Sequence, residues 1–415
     1  MSTTVTEPGT SSGPLPAGDR YILISADCHA GANHDTYRTY LESKYLDDFD
    51  AWRAQYSNPF RDLQGDGRSR NWDNERRIRE QEEDGGVVAE VVFPNTVPPF
   101  FPTAMHIARP PMPEDYEHRL AGIRAHNRWL ADFCADYPER RAGIGQIFIN
   151  DLDDAITDVH WIKEHGLRGG ILLPSVPPDV THIIPPLYSS VYDKLWRVCE
   201  ELEVVVNQHS GTGTPDYGPE PAGGVVWLTE TAFFSQRSLT HMLAGGAFDR
   251  FPGLRFVLTE QGCSWIPKTI GQLDFFHEMM RKTGRVGELK FTPDQVTPLK
   301  PSEYFARNCR IGVSFPSPRE AAARQFIGTA NFMWGSDYPH NESTYPYTRE
   351  GLRLAFAGTD PVELQQVLAG NAAELYGFDL DALAPLAAEV GPTIAELNEP
   401  LETRPDSASP AFTRR

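Results

Sequence analysis

The chain has 415 residues, 40% of them hydrophobic, with 38 Lys and Arg against 57 Asp and Glu for a formal charge of −19. That excess of acid argues against partners that present phosphate, since nucleic acid or an anionic membrane surface repels such a protein. No apolar run approaches the ~20 residues that span a bilayer, and the start "MSTTVTEPGTSSGPLPAGD" lacks the basic and apolar segments of a secretory leader.

Five cysteines (Cys28, Cys134, Cys199, Cys263, Cys309) are odd in number and scattered without a C-x-x-C pair. This suits free thiols in a reducing, cytoplasmic compartment. Residues 1–19 and the closing "NEPLETRPDSASPAFTRR" are poor in core-forming side chains and are expected to be flexible. Between them no linker or short repeat interrupts the chain. One catalytic domain over 20–380 and a partly disordered C-terminal extension over 381–415 are therefore expected.

In chain order, strand-like runs fall at 21–27, 87–93, 142–149, 168–174, 203–209, 254–260, 309–315 and 331–337. Several are nearly continuous apolar, β-branched runs, as parallel strands covered on both faces require. Helical patterns separate them. In "DDAITDVHWIKEHG", Ile156, Val159 and Ile162 share a face and Gly166 marks the stop, and in "PLYSSVYDKLWRVCEEL" Leu187, Val191, Leu195 and Val198 form a stripe. Eight such units predict an α/β chain folded as a (β/α)₈ TIM barrel, with a doubly wound open sheet as the alternative. The longer segments at about 30–70, 94–113, 210–228 and 284–306 are expected over the C-terminal mouth. There Trp52, Phe100, Phe101 and Trp227 form either a lid and apolar wall or a small packed cap.

The strand endings carry the chemistry. The first closes on Asp27-Cys28-His29, the fifth on His209, the sixth on Glu260 and the eighth on Asp337, and a barrel gathers all four at one rim. Asp27 and His29 are two apart and so point to one side, with Cys28 away from it. Two imidazoles with two or three carboxylates from separate strands suit Zn²⁺, Mn²⁺ or Fe²⁺. Cys28 has no adjacent base to activate it as a nucleophile. The run "NQHSGTG" lacks the lysine and glycine spacing of a phosphate loop, and Ser210 lacks a nucleophile-elbow context.

These segments together resemble the amidohydrolase-related family, in the branch that includes aminocarboxymuconate-semialdehyde decarboxylase and aromatic acid decarboxylases. The similarity runs over roughly 20–380. It is carried by "ISADCHAG", "VVVNQHSGTG", "RFPGLRFVLTEQGCSWIP", "MWGSDYPHNESTYP" and "LAGNAAELYGFD". The resemblance implies that Asp27, His29, His209 and Asp337 bind the metal, with Asp337 as ligand or general base. The strand-four end "GGILLPS" lacks the lysine that two-metal amidohydrolases carboxylate, which implies one ion.

Two positions depart from the pattern of that branch. Glu260 stands where it keeps a histidine, and Gln272 where an arginine anchors the substrate carboxylate. Glu260 is then the candidate acid/base, and Arg237 in "FFSQRSL" either replaces the anchor or is an exposed helix arginine. The implied activity is metal-dependent non-oxidative decarboxylation of an aromatic or enolisable carboxylic acid. Hydrolysis of a lactone, amide or ester by activated water is the alternative, and a metal-binding pseudoenzyme the third reading. The expected partner is a small cyclic or aromatic carboxylate, with no nucleic acid or membrane. A homodimer is compatible with these features.

Overall fold

A computed structural model describes residues 18–57, 65–103 and 108–413. Eight strands appear where the apolar runs predict them: β1 (Leu23–Ala30), β2 (Val87–Pro94), β3 (Arg141–Gln146), β4 (Gly170–Leu172), β5 (Val206–His209), β6 (Phe256–Thr259), β7 (Cys309–Ser314) and β8 (Phe332–Gly335). They pair in sequence order, all parallel, in one sheet. The sheet curls so that β8 meets β1, where Asp337 N donates to Asp27 O at 2.8 Å and His29 N to Tyr338 O at 2.7 Å. This is the expected TIM barrel.

Side chains from β1 to β4, β6 and β8, among them Ile24, Val91, Ile144, Leu172, Val257 and Met333, meet Val205 just before β5 in one buried interior cluster. Ala372 and Tyr376 of the closing helix Asn371–Tyr376 join it and plug the N-terminal end. The larger apolar layer lies between sheet and helices and includes Leu130, Ile162, Leu195, Trp196 and Leu239.

Local expectations hold in part. The helix Leu152–Glu164 starts where the Asp151 side chain accepts from Asp153 N and Asp154 N, and it buries Val159 and Ile162. The next one begins later than its apolar stripe suggests. Only Asp193–Glu201 is α-helical, Leu195, Trp196 and Cys199 face inward, and Val191 is exposed in a preceding 3₁₀ turn.

The segment 284–306 lies at the opposite end of the barrel from that expected. It follows the helix Ile266–Thr283, which has already carried the chain back toward the N-terminal ends of the strands. There Tyr304 hydroxyl donates to Asp249, and Asn308 Nδ2 to Leu254 O just before β6. Trp52 and Phe100 pack with Phe49 and Tyr45 in a small cap, and Phe101 is buried near Phe148, so these rings form the packed cap. Trp227 lies elsewhere, on the helix Gly223–Ala244.

The C-terminal extension packs instead of trailing away. Leu383 and Ala387 of the helix Leu380–Val390 join the barrel interior, and Ala411 and Phe412 are buried against Phe315. Its composition looked too polar for a core, but these few apolar side chains find a surface supplied by distant parts of the chain. The N-terminal segment expected to be flexible lies outside the described residues up to residue 17. No helix is long and apolar enough to cross a membrane among the described residues.

Candidate metal centre and active site

A break in the first strand aims the site. The register pairs Ser25 with Glu90 but Cys28 with Val92, so β1 carries one residue more than β2 across this step. Such a bulge reverses the alternation of side chains. Ile24 points into the barrel, and after the bulge Asp27 and His29 do so as well, while Cys28 turns toward Gln81 and Ser336. Burial pushes the Cys28 thiol far above its ordinary value, which leaves it an inert packing group.

Inside the mouth, His29 Nε2 lies 3.3 Å from Asp27 Oδ1 and 3.2 Å from Asp337 Oδ1. His209 Nε2 is 3.5 Å from Asp27 Oδ1 and 3.4 Å from Glu260 Oε2. The side chains of Asp27, His29, His209 and Asp337 are at most 1% exposed. His29 Nδ1 faces Pro94 O at 3.2 Å and His209 Nδ1 faces Ser210 O at 3.3 Å, contacts that turn both Nε2 atoms toward the carboxylates. The Ser314 hydroxyl donates to Asp27 Oδ2, and Phe93 packs against both imidazoles.

The donor set fits a divalent ion. Donor atoms of Asp27, His29 and His209 all lie within 4.8 Å of one another. Separations of 3.2–3.5 Å match the edges of a tetrahedral shell with bonds of about 2.0–2.1 Å. Asp27 Oδ1 and Asp337 Oδ2 are buried and accept no hydrogen bond among the described residues. Buried carboxylates with unused lone pairs are costly unless a cation compensates them. Burial by itself would lower the His29 pKa, but Asp27 and Asp337 beside it raise it well above the ordinary imidazole value. Asp27 is held well below the carboxylate range by the two histidines, against the opposing effect of burial. Without metal, a proton on His29 supplies the positive charge these carboxylates demand.

Glu260 differs from the four inner side chains. It is 16% exposed and accepts from the Ser210 hydroxyl at 2.6 Å. Burial, and then the Asp337 carboxylate, push its pKa up to about 7. Its backbone turns through φ 58°, and that of Asp337 through φ 64°, a left-handed conformation costing on the order of 1 kcal/mol or more for a side-chain-bearing residue. Both carboxylates are therefore held at the rim by turns that the surrounding ladder enforces, with Glu260 N still donating to Gly312 O.

Glu260 opens on a cavity of about 590 Å³ whose lining includes Ser210, Gln236, Trp265, Phe315 and Arg319. Arg237 is absent from that lining. It lies over the Phe234 ring, and its neighbour Gln236 faces the cavity instead. Gln272 is exposed on its helix and does not line the cavity either. The arginine at this opening is Arg319, in the first turn of the helix Pro318–Ile327 after β7. No ligand pattern draws attention to it in the sequence.

His340 is a second residue that strand endings do not reveal. Its Nδ1 lies 2.8 Å from Asp337 Oδ1, its Nε2 3.1 Å from Asn95 Oδ1, and its ring 4.0 Å from that of His29. Burial opposes its charge, but Asp337 outweighs that and raises the pKa to about 9. Only its place three residues after Asp337 in "SDYPH" could have signalled it. Behind the site, fully buried Arg77 donates to the His29 carbonyl at 2.7 Å and pairs with Glu90, which fixes the end of β1 from outside the barrel.

Comparison with known proteins agrees with this architecture. A gamma-resorcylate decarboxylase from Rhodococcus jostii is 25% identical over 232 residues, 54% of this chain and 68% of that protein. The structure of 5-carboxyvanillate decarboxylase from Sphingomonas paucimobilis is similar with a TM-score of 0.63 at 20% identity, covering 86% of this chain and 100% of that one. A dihydroxybenzoic acid decarboxylase from a Polaromonas species, solved with manganese and the inhibitor 2-nitroresorcinol, gives 0.60 at 17% identity over 86% and 97% of the two chains. At these identities the structural likeness establishes the shared fold. A family model described as amidohydrolase matches residues 26–378, from within β1 to just past the helix that plugs the barrel, and the chain belongs to that amidohydrolase family.

Proposed function

We propose that the chain is a metal-dependent enzyme that decarboxylates an aromatic or enolisable carboxylic acid without oxidation, with Asp27, His29, His209 and Asp337 holding one divalent ion. The observation that carries this reading is geometric: the buried cluster of Asp27, His29, His209 and Asp337, with donor atoms 3.2–3.5 Å apart, meets an open cavity of about 590 Å³ at the Glu260 carboxyl. Burial, and then Asp337, raise the Glu260 pKa above the ordinary carboxyl range, which suits a group that carries a proton and gives it up. The decarboxylases similar in sequence and fold support the same reaction class, and the manganese in the Polaromonas protein supports Mn²⁺ among the candidate ions.

A divalent ion bound there supplies Lewis acidity to a substrate carboxylate and a neighbouring hydroxyl. Trp265 and Phe315 offer the ring an apolar wall, and Ser210 holds the Glu260 carboxyl toward it. Glu260 gives its proton to the ring carbon that bears the carboxylate, forming a C–H bond. The C–C bond to the carboxylate then breaks, its electron pair returns to the ring, and CO₂ leaves. Glu260, now a carboxylate, takes a proton from water on its exposed edge. The five cysteines are buried free thiols, which supports a reducing compartment such as the cytoplasm.

The test is a screen of hydroxylated aromatic acids and lactones with Mn²⁺-loaded protein, run in ¹⁸O-labelled water. Release of CO₂ with a ring proton drawn from solvent is expected. Incorporation of ¹⁸O into the product without CO₂ would replace this reading with hydrolysis by activated water.

A further inference from the structure

Gln146, the last residue of β3, is wholly buried, and neither its amide oxygen nor its amide nitrogen has a hydrogen-bond partner among the described residues. The strand around it settles its direction. Ala142 and Ile144 join the interior cluster, whereas a Cβ on Gly143 or Gly145 would meet Leu130 or Ile162 outside the sheet. Alternation therefore turns Gln146 into the barrel. Register gives its level. In an eight-stranded barrel, side chains from alternate strands share a layer, and crossing two strands along the pairing steps that layer forward by two residues. His29 pairs with Phe93, which stands level with Ile144, two residues before Gln146. Gln146 pairs with Leu172 and Leu172 with Asn207, two residues before His209. His209 pairs with Thr259 and Thr259 with Gly312, two residues before Ser314. His29, Gln146, His209 and Ser314 thus form one layer at the mouth. The other three meet Asp27, and Gln146 has no such contact. Its backbone is fixed nonetheless. Gln146 N donates to Asn127 Oδ1 at 2.8 Å, and Asn127 Nδ2 donates to Gln146 O at 2.9 Å, from the helix Tyr116–Ala135. A held residue whose buried amide stays unpaired is costly in the free protein, and a ligand that pairs it recovers the cost.

We propose that Gln146 is a substrate-binding residue that selects acids carrying a hydroxyl beside the carboxylate, an inference that rests on the ion site and substrate class proposed above. An amide presents an acceptor and a donor side by side. A bare carboxylate accepts from Nε2 and leaves Oε1 unpaired. A neighbouring hydroxyl donates to Oε1 while a carboxylate oxygen accepts from Nε2, so a 2-hydroxy aromatic acid satisfies both atoms. An analogue without that hydroxyl leaves a buried acceptor unpaired and binds less well. In the ring of eight, β3 and β6 lie three strands apart, so Gln146 and Glu260 approach the substrate from different sides. Gln146 orients the acid and Glu260 protonates it.

Mn²⁺-loaded protein titrated with 2-hydroxybenzoate and with benzoate gives two Kd values by calorimetry, which separates binding heat from any steady heat of turnover. Their ratio measures the preference for the hydroxyl. Gln146→Met, close in size but without donor or acceptor, should reduce that ratio by about tenfold, as loss of one buried hydrogen bond does. Metal content should stay native, and the Tm of the unliganded variant should be no lower than native, because a partnerless amide lends no stability. Gln146→Leu should behave alike. An unchanged ratio overturns the proposal, as does native protein that fails to prefer the hydroxy acid. So does a lower Tm in both variants, which would make Gln146 a structural group satisfied by buried water. Hydrolysis in ¹⁸O-labelled water with the ratio still reduced in the variants would retire decarboxylation and keep this assignment. Release of CO₂ with an unchanged ratio does the reverse.

Discussion

The backbone amide of Asp337 donates to the carbonyl of Asp27 at 2.8 Å, so the hydrogen bond that closes the barrel also ties together two of its four proposed metal ligands. Barrel closure and site assembly are thus one event. His29, between them, is held by the next bond of the seam, from its own amide to Tyr338 O at 2.7 Å. An ion held by these four side chains would link β1, β5 and the end of β8, and its binding energy would add to the stability of the closed sheet.

Purified protein should therefore carry about one tightly bound divalent ion per chain, the number one four-donor shell accommodates. His29→Ala and His209→Ala should each lose most of it, and chelation should lower Tm in the native chain but not in the double variant. Elemental analysis with thermal scans measures both. Near-stoichiometric metal in the double variant would remove His29 and His209 from the ligand set.

Glu260→Gln keeps the shape of the side chain and its capacity for hydrogen bonding but holds no ionisable proton. Metal content should stay native while kcat falls by roughly 10²–10⁴-fold. The sign of the pH effect follows from the raised pKa. The proton donor is present below its pKa and lost above it, so kcat should decline as pH rises past that value, which a neighbouring dication lowers from the value of about 7 that burial and Asp337 give without one. That limb should vanish in the Gln variant. Near-normal turnover of the variant across the range would confine Glu260 to a structural role.

Arg319 lines the cavity and Arg237 does not, which separates two otherwise similar substitutions. For a substrate with a second anionic group remote from the metal, Arg319→Met should raise KM by about tenfold or more, as loss of a charge-assisted hydrogen bond does. Arg237→Ala should change KM by less than about twofold, in line with an uninvolved surface position. Steady-state kinetics on a mono- and a dicarboxylate compares them, and the reverse ranking would restore Arg237 as the anchor.

His126 is fully buried, with its Nδ1 2.7 Å from the Tyr37 hydroxyl, and burial lowers its pKa to about 3. A histidine with a depressed folded pKa contributes stability above its unfolded value near 6.5, and that contribution is lost as pH falls toward 3. Between pH 6.5 and 5 the loss is about 2 kcal/mol. Denaturant titrations at these two pH values should show it in the native chain, and His126→Phe should be less sensitive to acid by a similar amount. Equal acid sensitivity in the two chains would mean that His126 is solvated.

The apolar, β-branched runs were enough to locate all eight strands, because a strand covered on both faces must be apolar along its length. Asp27, His29, His209, Glu260 and Asp337 were legible for a related reason, since polar groups ending buried strands need a function or a partner. Other features depended on where distant segments meet. Plain alternation from Ile24 would have turned Asp27 and His29 out of the barrel, and the extra residue that brings them in shows only in the pairing with β2. The choice of Arg319 over Arg237 came from the direction of two helices, and the contacts of His340 with Asp337 and Asn95 from loops that meet at the mouth. The few apolar side chains of the C-terminal segment pack because distant parts of the chain offer them surfaces, the interior cluster to Leu383 and Ala387 and Phe315 to Phe412. Periodicity records what one segment needs from its surroundings, whereas register, side-chain direction and contacts between remote segments are decided when the sheet closes and each group meets its partners.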